Sequence, residues 1–245
     1  MHKQDLKQFK NAFMRENLLK YIQKDFELIM VWLAGSTLTG LADDKSDYDL
    51  GILIADTPAN TRNDRNEDYL IYKPTGKRVQ WIYDQVSDIT TAQYSANQRN
   101  IGWAQFGCLT DINDEHILYI NPKYHKFIEH LFQQKTEIAK YSIWLYLQTK
   151  DRYVNELLTR VEIPKELQLK SLYHFCWAAS ILSKQELNAE TVEFIKRVKR
   201  SDECTLSKED CYEALKRLHV VVDYYKTNPS SPPQIEPLEI LHEEE

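Results

Sequence analysis

Two aspartates of this chain, Asp47 and Asp49, are separated by one residue and are followed at once by an apolar run, residues 50–55. Such a run is typical of a buried β-strand, and side chains two residues apart on a strand point the same way, about 6–7 Å apart. Two carboxylates that close repel each other unless a cation lies between them. A hard divalent metal prefers oxygen ligands, so the spacing predicts a metal site at Asp47 and Asp49.

A glycine and a serine supply the other half of this candidate site. An apolar run, residues 31–34, ends at Gly35 and Ser36, and ten residues separate Ser36 from Asp47. Glycine lets the backbone come close to a ligand, and free N–H groups together with a serine hydroxyl can hold phosphate oxygens. We expect a short helix over residues 37–41, starting at Ser36, whose first N–H groups face the phosphates.

The combined pattern resembles the signature of the DNA polymerase β nucleotidyltransferase superfamily, in which a Gly-Ser turn and an Asp-x-Asp pair lie between two strands. The stretch Ser46-Asp47-Tyr48-Asp49 before an apolar strand is similar to the predicted stand-alone bacterial and phage nucleotidyltransferases, some of them associated with RNA repair. Weaker similarity to that subgroup extends to residues 81–84, 100–109 and 172–174.

This resemblance implies an enzyme that moves a nucleoside monophosphate from an NTP, most often ATP, to an acceptor. The acceptor is not specified and could be an RNA end, a protein or a small molecule. Asp47 and Asp49 would be the catalytic residues and the ligands of Mg²⁺ or Mn²⁺, and Gly35 and Ser36 would bind the nucleotide phosphates.

The resemblance also implies a third carboxylate on a neighbouring strand, and there the sequence departs from the pattern. The position falls on Gln80, whose amide brings no negative charge. Asp84 lies on the same side of the predicted strand and is the nearest acid, but it could equally cap a following helix. Three alternatives stay open: Asp84 serves, one metal suffices, or catalysis is lost. In the last case the chain is a catalytically degenerate nucleotidyltransferase-fold protein with a nucleotide-binding or regulatory role.

Hydrophobic periodicity predicts an α+β chain in which a mixed sheet with flanking helices is followed by an all-helical bundle. The predicted strands are residues 29–34, 48–55, 69–73, 77–83 and 117–120, with a hairpin turn at 74–76. The predicted helices are residues 3–26, 37–41, 87–96, 124–132, 135–158, 165–184, 190–199 and 207–225. A buried, helical turn is predicted over 100–109. We therefore expect a nucleotidyltransferase domain over 1–121, a helical bundle over 122–228 and a Pro/Glu-rich tail over 229–245.

Composition narrows the class of protein. The chain has 245 residues, of which 42% are hydrophobic, and a net charge of −6. It is long enough to bury a core, and it is too acidic for non-specific binding of long DNA. The sequence shows neither an apolar run long enough to cross a membrane nor a signal peptide, and its four cysteines lack metal-binding spacing, so we expect a cytoplasmic protein with reduced thiols.

Several other polar residues have two interpretations each. Lys77 and Arg78 could reach a triphosphate, although cations on a hairpin are more often solvated. The four cations Lys196, Arg197, Lys199 and Arg200 could meet a nucleic acid end or form a solvated helix face. His174 lies in an apolar segment, where a hydrogen-bonded core histidine is the commoner role.

Overall fold

The computed structural model describes residues 7, 9–11, 19, 26–42, 46–55, 68–72, 76–86, 112–138, 140–141, 188–199 and 207–228. Two compact units divide the chain: Met1–Ala139 together with Pro232–Glu245, and Lys140–Ser231. The predicted domain boundaries, which follow residues 121 and 228, remain predictions.

A five-stranded mixed sheet forms the frame of the first unit. Its strands are β1 (Leu28–Leu33), β2 (Tyr48–Ile54), β3 (Asp68–Tyr72), β4 (Lys77–Gln85) and β5 (Ile117–Ile120). The strand order is β3-β4-β2-β1-β5. The β2–β4 pair is parallel, and the other three pairs are antiparallel. The mixed sheet predicted from the sequence, including the hairpin of β3 and β4, is confirmed.

Side-chain alternation gives the sheet two different faces. One face, here called the core face, packs the buried hydrophobic cluster. Its members include Leu50 and Ile52 of β2, Val79, Trp81 and Tyr83 of β4, and Val31 and Leu33 of β1. Phe9 covers this face and stacks on the Tyr48 ring with 4.3 Å between ring centres and 11° between planes. Because β-strand side chains alternate, Asp49 and Gly51 of β2 lie on the opposite face, here called the Asp49 face.

The Asp49 face is tightly packed at Gly51. A Cβ at Gly51 would overlap the indole of Trp32, its partner across the β1–β2 pair, and Trp32 is fully buried. Glycine at position 51 of β2 therefore leaves room for the indole of Trp32, the largest side chain of β1. The contact also shows that Trp32 and Asp49 share a face, because Asp49 lies two residues before Gly51.

Short helices follow β1 and β5. Helix α1 (Gly35–Leu38) starts directly after β1, and helix α2 (His125–Gln133) follows a 3₁₀ turn, Pro122–Tyr124. The sequence predicted α1 to continue to residue 41, but Gly40 adopts a positive φ of 71°, which is a backbone conformation that ends helices. Helix α2 confirms the helix predicted over 124–132.

The second unit contributes two long helices to the described part of the chain, α3 (Ala189–Lys199) and α4 (Lys208–Thr227). Both were predicted from helical spacing. Ser207 is the N-cap of α4, and its hydroxyl accepts a hydrogen bond of 3.0 Å from the Asp210 backbone N–H. The five-helix bundle itself remains a prediction.

Other sequence predictions lie outside the described residues. These are the helices over 87–96 and 165–184, the turn over 100–109, the tail over 229–245 and most of the helices over 3–26 and 135–158. Within the described ranges, no helix has both the length and the apolar composition that a membrane span requires.

An ion pair joins α3 to α4, and its loss should destabilise the second unit. The Arg197 guanidinium donates from Nε to one Asp210 carboxylate oxygen at 3.0 Å and from a terminal nitrogen to the other at 2.8 Å. These hydrogen bonds are the main reason that the pKa of Asp210 lies below its ordinary value. A carboxylate with a lowered folded pKa stabilises the protein above its unfolded pKa, and this contribution is lost as pH falls through the folded pKa.

We therefore expect Asp210→Asn to reduce the free energy of unfolding by about 1 kcal/mol at pH 7, because Arg197 is half exposed and solvent screens the pair. As pH falls from the ordinary aspartate pKa through the lowered pKa of folded Asp210, the wild-type carboxylate becomes protonated, so the difference between the two proteins should shrink. Urea unfolding of both proteins at pH 7 and at about pH 2, well below the ordinary aspartate pKa, measures this. A difference that is the same at both pH values would contradict the assignment.

Candidate functional site

The centre of the candidate site is the contact between Gly35 and Asp49. Just after β1, the Ala34 N–H donates a hydrogen bond of 2.8 Å to the Asp49 carbonyl, which holds the turn against the start of β2. Gly35 has a φ of +56°, a conformation that favours glycine. A Cβ at Gly35 would overlap Oδ2 of Asp49 and lie 2.8 Å from its Cγ. The Asp49 carboxylate therefore packs directly on the glycine backbone, and both features of Gly35 require the absence of a side chain.

Helix α1 and the residue that follows it carry three hydroxyl groups, which differ in their hydrogen-bond partners. Ser36 and Thr37 are buried, with 7% and 8% of their surfaces exposed. The Thr39 hydroxyl donates to the Gly35 carbonyl at 3.3 Å, so it is used within the helix. The Thr37 hydroxyl is buried without a hydrogen-bond partner in the part of the chain that the structure describes. A buried hydroxyl without a partner costs free energy, and an oxygen-rich ligand at this turn could supply one.

Asp47 precedes β2 and is exposed, whereas Asp49 is half buried. Since the two are separated by one residue of extended chain, Asp47 lies along the Asp49 face. The fold thus brings Gly35, Asp49 and Asp47 to one edge of the sheet, where β1 ends and β2 begins. Ser36 follows Gly35 at the same edge. The four residues singled out in the sequence are close in space because β1 and β2 are paired strands.

The register of the parallel β2–β4 pair distinguishes between the two candidates for a third ligand. Gln80 is the direct partner of Asp49, on a strand about 4.8 Å away, so the two side chains share a face. Asp84 instead pairs with Leu53, four residues along, which is about 13 Å further from the site. Asp84 therefore lies too far along the strand to be the neighbour of Asp49. Among the residues that the structure describes, no group of three or more His, Cys, Asp or Glu side chains could hold a metal ion.

Two neighbouring cations at the start of β4 lie on opposite faces of the sheet. The Lys77 ammonium lies 5.6 Å from the centre of the Tyr48 ring, on the core face. Arg78 has the parity of Gln80 and therefore lies on the Asp49 face, where it is half buried and its Nε atom is fully buried. Sequence reasoning treated the two cations alike. The signal that separates them is parity: Arg78 lies two residues before Gln80, and Lys77 lies three before it.

The basic cluster of the second unit is partly neutralised. Arg197 binds Asp210, and the Lys196 ammonium lies 3.4 Å from a carboxylate oxygen of Glu193. Both cations therefore have anionic partners within α3 and α4. This favours the interpretation of the cluster as a helix face with internal ion pairs. Arg200 and His174 lie outside the described residues.

The family model of the nucleotidyltransferase domain matches residues 15–101, a segment that contains the Gly-Ser turn, both aspartates and strand β4 with Gln80. No curated protein matches this chain significantly.

Proposed function

Because residues 15–101 form a nucleotidyltransferase domain of the DNA polymerase β-like superfamily, we propose that this protein transfers a nucleoside monophosphate from an NTP to an acceptor and releases pyrophosphate. The observation that carries the proposal is the contact between the Asp49 carboxylate and the Gly35 backbone. It places an anionic oxygen beside a turn that carries the buried Ser36 and Thr37 hydroxyls, which suits a phosphate-binding and metal-binding edge.

The reaction needs little covalent chemistry from the protein, which must mainly hold the triphosphate and the acceptor in line. Gly35 and Ser36 are proposed to position the phosphates through backbone N–H groups and the serine hydroxyl. Asp47 and Asp49 fit Mg²⁺ or Mn²⁺, because both offer carboxylate oxygens on one face at one edge. Such an ion, when bound, neutralises phosphate charge and lowers the barrier to displacement of pyrophosphate.

With Gln80 at this position, the proposed site carries less negative charge than it would with a third carboxylate. Its amide oxygen can accept a hydrogen bond or coordinate weakly, but it adds no charge where it faces Asp49. We propose that position 80, and not Asp84, is the neighbour of the aspartate pair, and that one tightly held divalent ion serves the site. ATP is the proposed nucleotide.

A second candidate function is supported by the same glutamine. A nucleotidyltransferase-fold protein with a degenerate metal site could bind nucleotide for a regulatory role. In that case nucleotide should bind equally well with and without a divalent ion, because the phosphates would contact protein groups alone.

Thermal unfolding with each NTP, in Mg²⁺, in Mn²⁺ or in EDTA, distinguishes the two functions. A ligand at a hundredfold excess over its Kd should add about 2.7 kcal/mol to the stability of the native state. Stabilisation by ATP that is much larger with the metal supports the transferase. Stabilisation that is the same in EDTA supports the regulatory protein, and no stabilisation by any NTP contradicts both.

A labelling experiment would identify the acceptor. ATP labelled at the α-phosphate is incubated with the protein, Mn²⁺ and a short RNA, a mixture of proteins or a mixture of small molecules. The proposal expects label on one acceptor and release of unlabelled pyrophosphate. Label on an RNA end would support the similarity to the stand-alone bacterial and phage group that is associated with RNA repair.

A further inference from the structure

We propose that Thr37 is a further nucleotide-binding residue, whose buried hydroxyl donates a hydrogen bond to a phosphate oxygen when helix α1 closes on the nucleotide. The inference rests on the proposed nucleotidyl transfer and adds a residue to the phosphate-binding turn of Gly35 and Ser36. Three features of α1 support it: the burial of the Thr37 hydroxyl, its distance from Gly35 and the long hydrogen bonds of the helix.

The Thr37 hydroxyl is buried, and no residue in the part of the chain that the structure describes forms a hydrogen bond with it. Only 8% of the residue is exposed, and its hydroxyl oxygen has no contact with solvent. Water therefore does not replace the missing partner. A hydroxyl in this state destabilises the fold, whereas a methyl group of the same shape would not. Such a group needs an explanation, and a ligand that supplies the partner is one.

The position of Thr37 puts its side chain within reach of the candidate site. Helix α1 directly follows the contact between Gly35 and the Asp49 carboxylate, and Thr37 is the third of its four residues. In an α-helix the Cα atoms of residues i and i+2 are about 5.5 Å apart. A phosphate that is bound at Gly35 is therefore close enough for a hydrogen bond from the Thr37 hydroxyl.

Helix α1 is firmly anchored at its start and loosely hydrogen-bonded along its length. The Ala34 N–H donates to the Asp49 carbonyl at 2.8 Å, but the hydrogen bonds that follow are longer. The N–H groups of Leu38, Thr39 and Gly40 donate over 3.3, 3.2 and 3.4 Å, against a usual distance of about 2.9–3.0 Å. Long hydrogen bonds are weak, so this single turn can change its geometry with little loss of free energy.

Glycines with a positive φ lie at both ends of α1, where they permit the turn to move as a unit. Gly35 has a φ of 56° and Gly40 has a φ of 71°. Glycine passes between such conformations and ordinary ones at little cost. The Thr37 side chain can also rotate, since threonine in a helix divides between two rotamers. We therefore expect bound nucleotide to draw α1 towards the phosphates and to give the hydroxyl its partner.

Three substitutions distinguish this role from a structural one. Thr37→Val replaces the hydroxyl by a methyl group and keeps the branched shape, whereas Thr37→Ser keeps the hydroxyl. Thr39→Val is the matched control, because the Thr39 hydroxyl donates within the turn, to the Gly35 carbonyl at 3.3 Å.

The first measurement is urea unfolding in the absence of nucleotide. Thr37→Val should unfold at the same urea concentration as wild type or at a higher one, because it removes a buried hydroxyl that has no partner. A clearly lower midpoint would show that the hydroxyl is hydrogen-bonded in the folded protein, and would overturn the inference.

The second measurement is binding of ATP in Mg²⁺ by calorimetry. Thr37→Val should weaken ATP roughly tenfold, the loss expected for one hydrogen bond to a charged group. Thr37→Ser and Thr39→Val should each stay within about threefold of wild type, because the proposed contact is kept in both. The variant with the larger loss of affinity is thus the one with unchanged or higher stability, which a merely structural role does not produce.

Inorganic tripolyphosphate, which lacks ribose and base, tests whether the contact is to phosphate. It should compete with ATP for the wild-type protein, and about tenfold less well for Thr37→Val. Failure to compete in wild type, or a loss in Thr37→Val that is confined to ATP, would place the contact elsewhere and overturn the inference.

Two further results would overturn the inference while leaving the proposed function in place. One is wild-type affinity for ATP in Thr37→Val, and the other is an equal loss of affinity in Thr37→Ser or in Thr39→Val. A wild-type protein that binds neither ATP with Mg²⁺ nor Mn²⁺ alone would instead overturn the proposed function, and the inference with it.

Discussion

Asp49→Asn is expected to slow nucleotidyl transfer roughly a thousandfold and to weaken Mn²⁺ binding, and Asp47→Asn should do the same. Asparagine keeps the shape of aspartate but removes one of the two carboxylate ligands that the described residues offer at this site. A bound metal contributes several kcal/mol to such a transition state. A loss of about 4 kcal/mol corresponds to a roughly thousandfold slower reaction. Pyrophosphate release and Mn²⁺ titration measure the two effects.

The two asparagine variants should lose activity without losing folding stability. Removing one of two neighbouring carboxylates relieves repulsion in the metal-free protein, so the free energy of unfolding should be unchanged or slightly higher. Asp223→Asn is a suitable control, because Asp223 is an exposed acid on α4. It should retain both activity and Mn²⁺ affinity. Equal Mn²⁺ affinity in wild type, Asp47→Asn and Asp49→Asn would rule out the proposed metal site.

Gly35→Ala is expected to have the second large effect, and Gly40→Ala is its matched control. Both glycines have a positive φ, 56° at Gly35 and 71° at Gly40, so alanine strains the backbone at either position by about 1–2 kcal/mol. They differ in their surroundings. A Cβ at Gly40 would meet no atom within 4 Å, whereas one at Gly35 would overlap the Asp49 carboxylate.

The two alanine variants should therefore lose similar stability from backbone strain, with a further loss at Gly35. Only Gly35→Ala should lose Mn²⁺ affinity and activity, because Asp49 must move away from the turn. We expect an activity loss of at least about a hundredfold, since a displacement of about 1 Å at a reacting centre can have that effect. Thermal unfolding, Mn²⁺ titration and pyrophosphate release measure the three quantities. If Gly35→Ala keeps wild-type Mn²⁺ affinity, the contact between Gly35 and Asp49 is not part of a metal site.

Most of the frame of the first unit could be predicted from local patterns. The strands around Val31, Ile52 and Val79 alternate or form short apolar runs, and Gly76 between two such runs indicates a hairpin. Strand β4 continues two residues beyond its predicted end because it stays paired with β2 up to Gln85. Strand length depends on a partner strand, and a single sequence does not contain that information.

The candidate site, like the frame, was predicted from the sequence only in part. The sequence itself determined that a flexible glycine, a serine and two acids lie at the ends of two strands, because these features depend on residue type and on spacing along one chain. It also predicted a helix from residue 207, within one residue of the observed start of α4, because an N-cap acts within four residues.

Only the tertiary structure decided which distant residues meet the site. Pairing of β2 with β4 set Gln80 beside Asp49, left Asp84 four residues further along and separated Arg78 from Lys77. In the second unit, packing of α3 against α4 gave Arg197 an anionic partner 13 residues away. The physical reason is the same in each case. Side-chain parity follows from the sequence, whereas strand register and helix packing depend on contacts between segments that are far apart in the chain.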